Sequence, residues 1–136
     1  MTGRQVIKSG RRWDTKEELL EFMDQKWNKE EYGSYFFGKP TAASLGEYIC
    51  LPATNRFMVI MYPKKDKIVL SVCDAPEGMK SRLIQSSPHQ GKIFASAIAL
   101  GELGSYEQER KGPAEEVLLA YTAHMKSILA RSGLLK

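Results

Sequence analysis

The stretch from Ser34 to Asp74 limits the fold more than any other part of the chain, because four short β-rich runs are packed into it with only a few turn residues between them. Tyr35-Phe36-Phe37 stops at Gly38-Lys39-Pro40, and Glu47-Tyr48-Ile49-Cys50-Leu51 stops at Pro52-Ala53-Thr54-Asn55. The run from Arg56 to Tyr62 stops at Pro63-Lys64-Lys65-Asp66, and Lys67 to Cys73 follows directly. Connections this short cannot carry the crossover that parallel strands need, so the runs are expected to form an antiparallel meander. The third run is apolar on both faces (Phe57, Val59 and Met61 against Met58, Ile60 and Tyr62), which predicts a central strand covered on both sides. In the fourth, Ile68, Leu70 and Val72 point one way and Val69, Ser71 and Cys73 the other.

Helical patterns flank these runs. Asp14-Thr15-Lys16-Glu17 reads as a capping box, with the Asp14 carboxylate accepting from an amide one turn on and Glu17 reaching back. Leu19, Leu20, Met23 and Trp27 then recur at helical spacing, predicting a helix that ends near Glu31 with Gly33 as its break. Asp74-Ala75-Pro76-Glu77 suggests a short helix through Met79, Leu83 and Ile84. Ser87-Pro88-His89-Gln90 has the cap chemistry of another helix start. Residues 92–103 fit a helix or a buried strand, and the cap favours the helix. Gly112-Pro113 is read as the opening of a last helix, with Glu115 and Glu116 in its first turn and Lys126 and Arg131 at its end, as the helix dipole prefers. Its apolar stripe is Leu118, Tyr121, Met125, Ile128 and Leu129, and Gly133 closes it. The expected fold is therefore α+β: an N-terminal helix, a four-stranded antiparallel β-meander, and C-terminal helices packed on one face of the sheet.

A chain of 136 residues is the size of one domain, taken as residues 14–136 preceded by a basic arm over residues 1–13. The net charge is +4, and Arg4, Lys8, Arg11 and Arg12, with no acid beside them, account for all of it. Such an arm, ending at Trp13, suits phosphate contacts and stacking on a base, so Arg4, Lys8, Arg11, Arg12 and Trp13 are the nucleic-acid candidates. The plainer reading is a solubilising leader whose Val6, Ile7 and Trp13 tuck against the body. No apolar run approaches a membrane span, and the basic start lacks the apolar core of a signal peptide. Two cysteines make no disulfide framework, so a cytoplasmic, reducing location is expected.

Chemistry is sparsely signalled. Gly33-Ser34-Tyr35-Phe36-Phe37-Gly38-Lys39-Pro40-Thr41 nearly matches a phosphate-binding P-loop, but Pro40 stands where a Ser or Thr is required. The segment also follows a helix where a P-loop follows a strand, so nucleotide hydrolysis is not expected. His89 and His124 have no partner at metal-ligand spacing, and His124 is read as a residue on the flank or core edge of the last helix. Cys50 and Cys73 are read as small buried hydrophobes, with Cys73 beside Asp74 the weak candidate for a nucleophile. No cofactor or metal is expected. The ligand candidate is the acid-free stretch with Arg82, Ser86, Ser87, His89, Gln90 and Lys92 around a helix start, where an anionic small molecule would be held. The cluster of Tyr32, Tyr35, Phe36, Phe37, Tyr48, Phe57 and Tyr62 is read as sheet core, with a tyrosine-lined cleft as the alternative.

These readings favour a non-enzymatic module that binds a small anionic ligand or a protein. A homodimer through a sheet edge or the last helix is one form of it. The alternatives are nucleic-acid binding through the basic arm and an enzyme acting on an anionic substrate near Ser87.

Overall fold

A computed structural model of the chain describes residues 3–40, 44, 46–54, 56–75 and 106–136. The order of elements is β1 (Arg4–Trp13), α1 (Lys16–Lys26), α2 (Lys29–Tyr32), β2 (Phe36–Gly38), β3 (Tyr48–Pro52), β4 (Phe57–Asp74), α3 (Tyr106–Glu109), a π-helical segment (Arg110–Ala114) and α4 (Glu115–Arg131). The architecture is α+β, with one four-stranded antiparallel sheet in the order β1-β4-β3-β2.

Two expectations are corrected. The chain opens on a strand, because residues 4–13 pair with β4 and the first helix begins only at Lys16. The runs expected as third and fourth strands are one continuous strand, β4, and the fourth place in the sheet belongs to β1.

The turn residues Pro63-Lys64-Lys65-Asp66 become a bend inside β4. Lys65 adopts a left-handed backbone (φ 59), the conformation found in one class of β-bulge. On the partner strand the register slips: Lys8 lies opposite Lys67 and Trp13 opposite Lys65, five steps along β1 against two along β4. The left-handed Lys65 and the register slip beside it accompany a reversal of the side-chain alternation of β4. Phe57, Val59 and Met61 before it, and Ile68 and Leu70 after it, consequently all face the same core.

That core lies between the sheet and the helices. Ile7 of β1 and Ile49 and Leu51 of β3 join the β4 residues on one side, and Leu19, Met23, Val117, Leu118, Tyr121, Met125, Ile128 and Leu129 come from α1 and α4. Cys50 and Met58, on the opposite face of the sheet, form a smaller cluster with Phe36, Tyr48, Ile60 and Cys73 at its margin.

The first helix is capped by Thr15, one residue later than expected. Its hydroxyl accepts from the Glu18 amide while the Glu18 carboxylate accepts from the Thr15 amide. The helix stops at Trp27, and Asn28 caps the short α2, whose end is marked by Gly33 (φ 79). The last helical stretch is already formed by Tyr106, and Pro113 sits inside it within the π-helical segment. A widened turn tolerates a residue that has no N–H to donate. Glu109, 1% exposed, ties this stretch to the β3–β4 connection, accepting from the Thr54 hydroxyl and the Arg56 amide.

After α4 the chain turns on Gly133 (φ 72), with Leu134 N–H donating to Leu129 O and Gly133 N–H to Ala130 O. The tail then runs back along β1. Gly10 N–H donates to Leu134 O, Lys136 N–H donates to Lys8 O, and Ser9 bridges Leu135.

Candidate binding surface on β1 and β4

The pairing of β1 with β4 gathers cations that are far apart in sequence. Along β1 the odd residue Ile7 is buried in the core, so Arg4, Val6 and Lys8 stand on the other face. Directly opposite them are Ser71, Val69 and Lys67. The bend adds Lys64 and Lys65 at the Lys67 end. A groove of about 230 Å³ is lined by Arg4, Val6, Lys64, Lys65, Asp66, Lys67 and Val69. With Lys8 just beyond, five cations surround one carboxylate, and none of the five forms an ion pair among the described residues.

Two features of this surface cost stability. Like charges directly opposite one another on neighbouring strands repel, and Lys8 and Lys67 are such a pair. Lys65 holds a backbone conformation disfavoured for any residue with a side-chain carbon at Cβ.

Of the five nucleic-acid candidates, only Arg4 and Lys8 belong to this face. The Arg11 guanidinium pairs with Glu18 and lies 4.0 Å from the centre of the Trp13 ring. Arg12 pairs with Asp14 at 3.2 Å. Trp13 is 3% exposed and meets Phe22 edge-on, so its ring is core and offers no stacking surface. Lys64, Lys65 and Lys67, which line the groove, read in sequence only as turn and strand start. The β1–β4 register is what unites them with Arg4 and Lys8.

The anion candidate formed by Arg82, Ser86, Ser87, His89, Gln90 and Lys92 lies outside the described residues, as do the helix expected through Met79, Leu83 and Ile84 and the choice of helix or strand over 92–103.

The remaining titratable side chains are held in structural roles. His124 is 6% exposed, stacks on Tyr32 at 4.0 Å and meets Trp27 edge-on at 4.5 Å. Its Nε2 accepts from the Asn28 amide at 3.1 Å, which places the proton of the neutral ring on Nδ1. Burial, with Arg131 adding to it, pushes its pKa down to about 4. It borders a shallow cleft of about 520 Å³ between α2 and α4, with Asn28, Glu31, Ser127 and Arg131 on its rim.

The Tyr35 hydroxyl donates to Asp24, and burial and that carboxylate together push the phenol well above its ordinary range. Tyr121, fully buried, donates its hydroxyl to Pro52 O. Burial and the neighbouring Asp74 push the Cys73 thiol up to about 11, the opposite of what a nucleophile requires. Among the described residues no three His, Cys, Asp or Glu side chains gather as a metal site, and no helix is long and apolar enough to cross a membrane.

No protein-family model, curated protein or solved structure matches the chain.

Proposed function

We propose that this chain is a non-enzymatic binding module whose partner is a protein carrying an acidic, extended segment, taken on the basic face of β1 and β4. One observation carries the reading: Lys8 faces Lys67 beside Arg4, Lys64 and Lys65, Asp66 is the one carboxylate lining the groove, and none of the five cations forms an ion pair among the described residues, so an arriving carboxylate relieves a repulsion already built into the fold. The groove is smaller than the roughly 300–1,000 Å³ usual for small-molecule sites and suits a few acidic side chains better than a metabolite.

Nucleic acid is the competing polyanion. Against it, the groove presents Val6, 45% exposed, as its apolar contact, and the nearest indole, Trp13, is buried. Binders of single strands combine their cations with aromatic platforms, which this face lacks among the described residues. Cys50 and Cys73 are not joined in a disulfide, which suits a reducing cytosol, where we place the module.

The test is titration of poly-glutamate and of a single-stranded DNA of about 20 nucleotides into the wild-type chain and into Lys65→Glu/Lys67→Glu, at low and high salt. The wild type is expected to bind poly-glutamate in a salt-sensitive way and the double variant to lose that binding. Equal binding by both proteins, or a preference for DNA, overturns the reading.

A further inference from the structure

Among the described residues, the basic face ends at a strand edge whose main chain is open. In an antiparallel strand the N–H and C=O of one residue point to the same side, and the side alternates along the chain. Val72 N–H donates to Gly3 O, so Gly3, Gln5 and Ile7 direct their main-chain groups toward β4. Arg4, Val6 and Lys8 must then direct theirs outward. The C-terminal tail confirms the parity, since Lys136 N–H reaches the outward Lys8 O. The tail covers β1 only from Lys8 to Gly10. The N–H and C=O of Arg4 and Val6 and the N–H of Lys8 have no partner among the described residues.

The side chains of the same three residues, all exposed, form a cation–apolar–cation series. Edge strands are commonly protected from pairing with a copy of themselves by charged side chains, and Arg4 and Lys8 do that here. Two β1 edges brought together would set these cations against one another, so a homodimer through this edge is disfavoured. A strand with acidic residues at alternate positions meets the opposite condition.

We infer that the partner segment adds to the open edge of β1 as an extra antiparallel strand, pairing its main chain with Arg4 and Val6. It would set a small apolar side chain beside Val6 and carboxylates beside Arg4 and toward Lys8 and Lys67. The occupant is an extended peptide of the pattern acidic–x–aliphatic–x–acidic. Main-chain hydrogen bonds supply the docking and the alternate side chains supply the selection. This mode rests on the reading of the basic face as the binding surface, and it adds the edge as the place where the partner's backbone is held.

The experiment uses the end-blocked peptide Ser-Glu-Thr-Val-Thr-Glu-Ser and follows amide hydrogen exchange of the whole chain by NMR. The expected result is slowed exchange at Arg4 and Val6 on adding peptide, with Gln5 and Ile7 unchanged because their amides already point to β4. A Val6→Pro variant complements it. The Val6 N–H faces away from the sheet, where proline is tolerated, yet its loss removes a donor the added strand needs. Binding is expected to weaken about tenfold or more while the far-ultraviolet circular dichroism stays unchanged. If Val6→Pro fails to fold, the exchange pattern of the wild type decides alone. Peptide binding that depends on Lys65 and Lys67 but leaves the Arg4 and Val6 amides unprotected overturns the edge and spares the face. No peptide binding at all overturns both.

Discussion

Lys8 and Lys67 stand directly across from each other on adjacent strands, and no described carboxylate pairs with either. Reversing one charge should turn a repulsive pair into an attractive one. Lys67→Glu is therefore expected to stabilise the fold by about 0.5 kcal/mol, roughly a 2 °C rise in Tm. The same variant should weaken binding of poly-glutamate. A gain in stability joined to a loss of binding is the signature of a residue retained for its partner. Thermal unfolding and titration of one sample measure both, and a fall in Tm would contradict the account.

The bend in β4 gives a second prediction. Lys65 has a left-handed backbone in the middle of a strand, where glycine is the residue without a steric penalty. Lys65→Gly is expected to be neutral or slightly stabilising, because the relieved strain of about 1 kcal/mol is partly offset by the greater freedom of glycine in the unfolded chain. Lys65→Val, branched at Cβ, should cost about 1–2 kcal/mol. Urea denaturation of the three proteins should rank them in that order.

This bend also explains what the sequence conceals. Pro63-Lys64-Lys65-Asp66 signals a change of direction, and one occurs, but turn residues alone do not distinguish a hairpin from a bulge. The outcome depends on the neighbour, and β1 is hard to recognise. Its inward positions include the polar Gln5 and Ser9, while Val6 points outward, so the two-residue hydrophobic period is absent. The helix-side core was legible because Leu19, Met23, Leu118, Tyr121 and Met125 keep helical spacing against a β-rich middle. The first cap was displaced by one residue because Asp14 and Thr15 are both competent, and Glu18 reaches Thr15. Two of the five cations of the candidate surface, Arg4 and Lys8, were legible as charge without acid. The other three join them only through register, which composition does not encode.

His124 makes stability depend on pH. An ordinary histidine titrates near 6.5, while the folded environment holds this one at about 4. Between those values the unfolded chain binds a proton that the folded chain refuses, so unfolding gains from acid. The contribution of His124 is therefore complete above pH 6.5 and is lost progressively as pH falls toward about 4. The groups facing the ring are the Asn28 amide on Nε2, the Tyr32 and Trp27 rings and the Arg131 cation, with Glu31 on the rim of the same cleft. His124→Gln keeps an acceptor near the Asn28 amide but cannot titrate. Carboxylates elsewhere titrate in both proteins, so the difference between the two Tm–pH curves isolates His124. Parallel curves between pH 6.5 and 4 would refute the assignment.

Tyr121 fixes the distance between α4 and the sheet. Its ring is fully buried, meets Trp27 at 5.8 Å, and its hydroxyl donates to Pro52 O at the end of β3. Tyr121→Phe removes the hydroxyl alone and preserves the packing of the ring. The loss of a buried bond that leaves a carbonyl short of a partner costs about 1–2 kcal/mol. Tyr121→Ala adds the cavity of an aromatic side chain and should cost about 3–5 kcal/mol. Because Tyr121 lies on the helix side of the sheet, away from Arg4, Lys8 and Lys67, Tyr121→Phe should leave poly-glutamate affinity unchanged. Chemical denaturation gives the stability differences and titration gives the affinity. A Tyr121→Phe protein as stable as the wild type would show that the Pro52 carbonyl finds another donor and that α4 is held by packing alone.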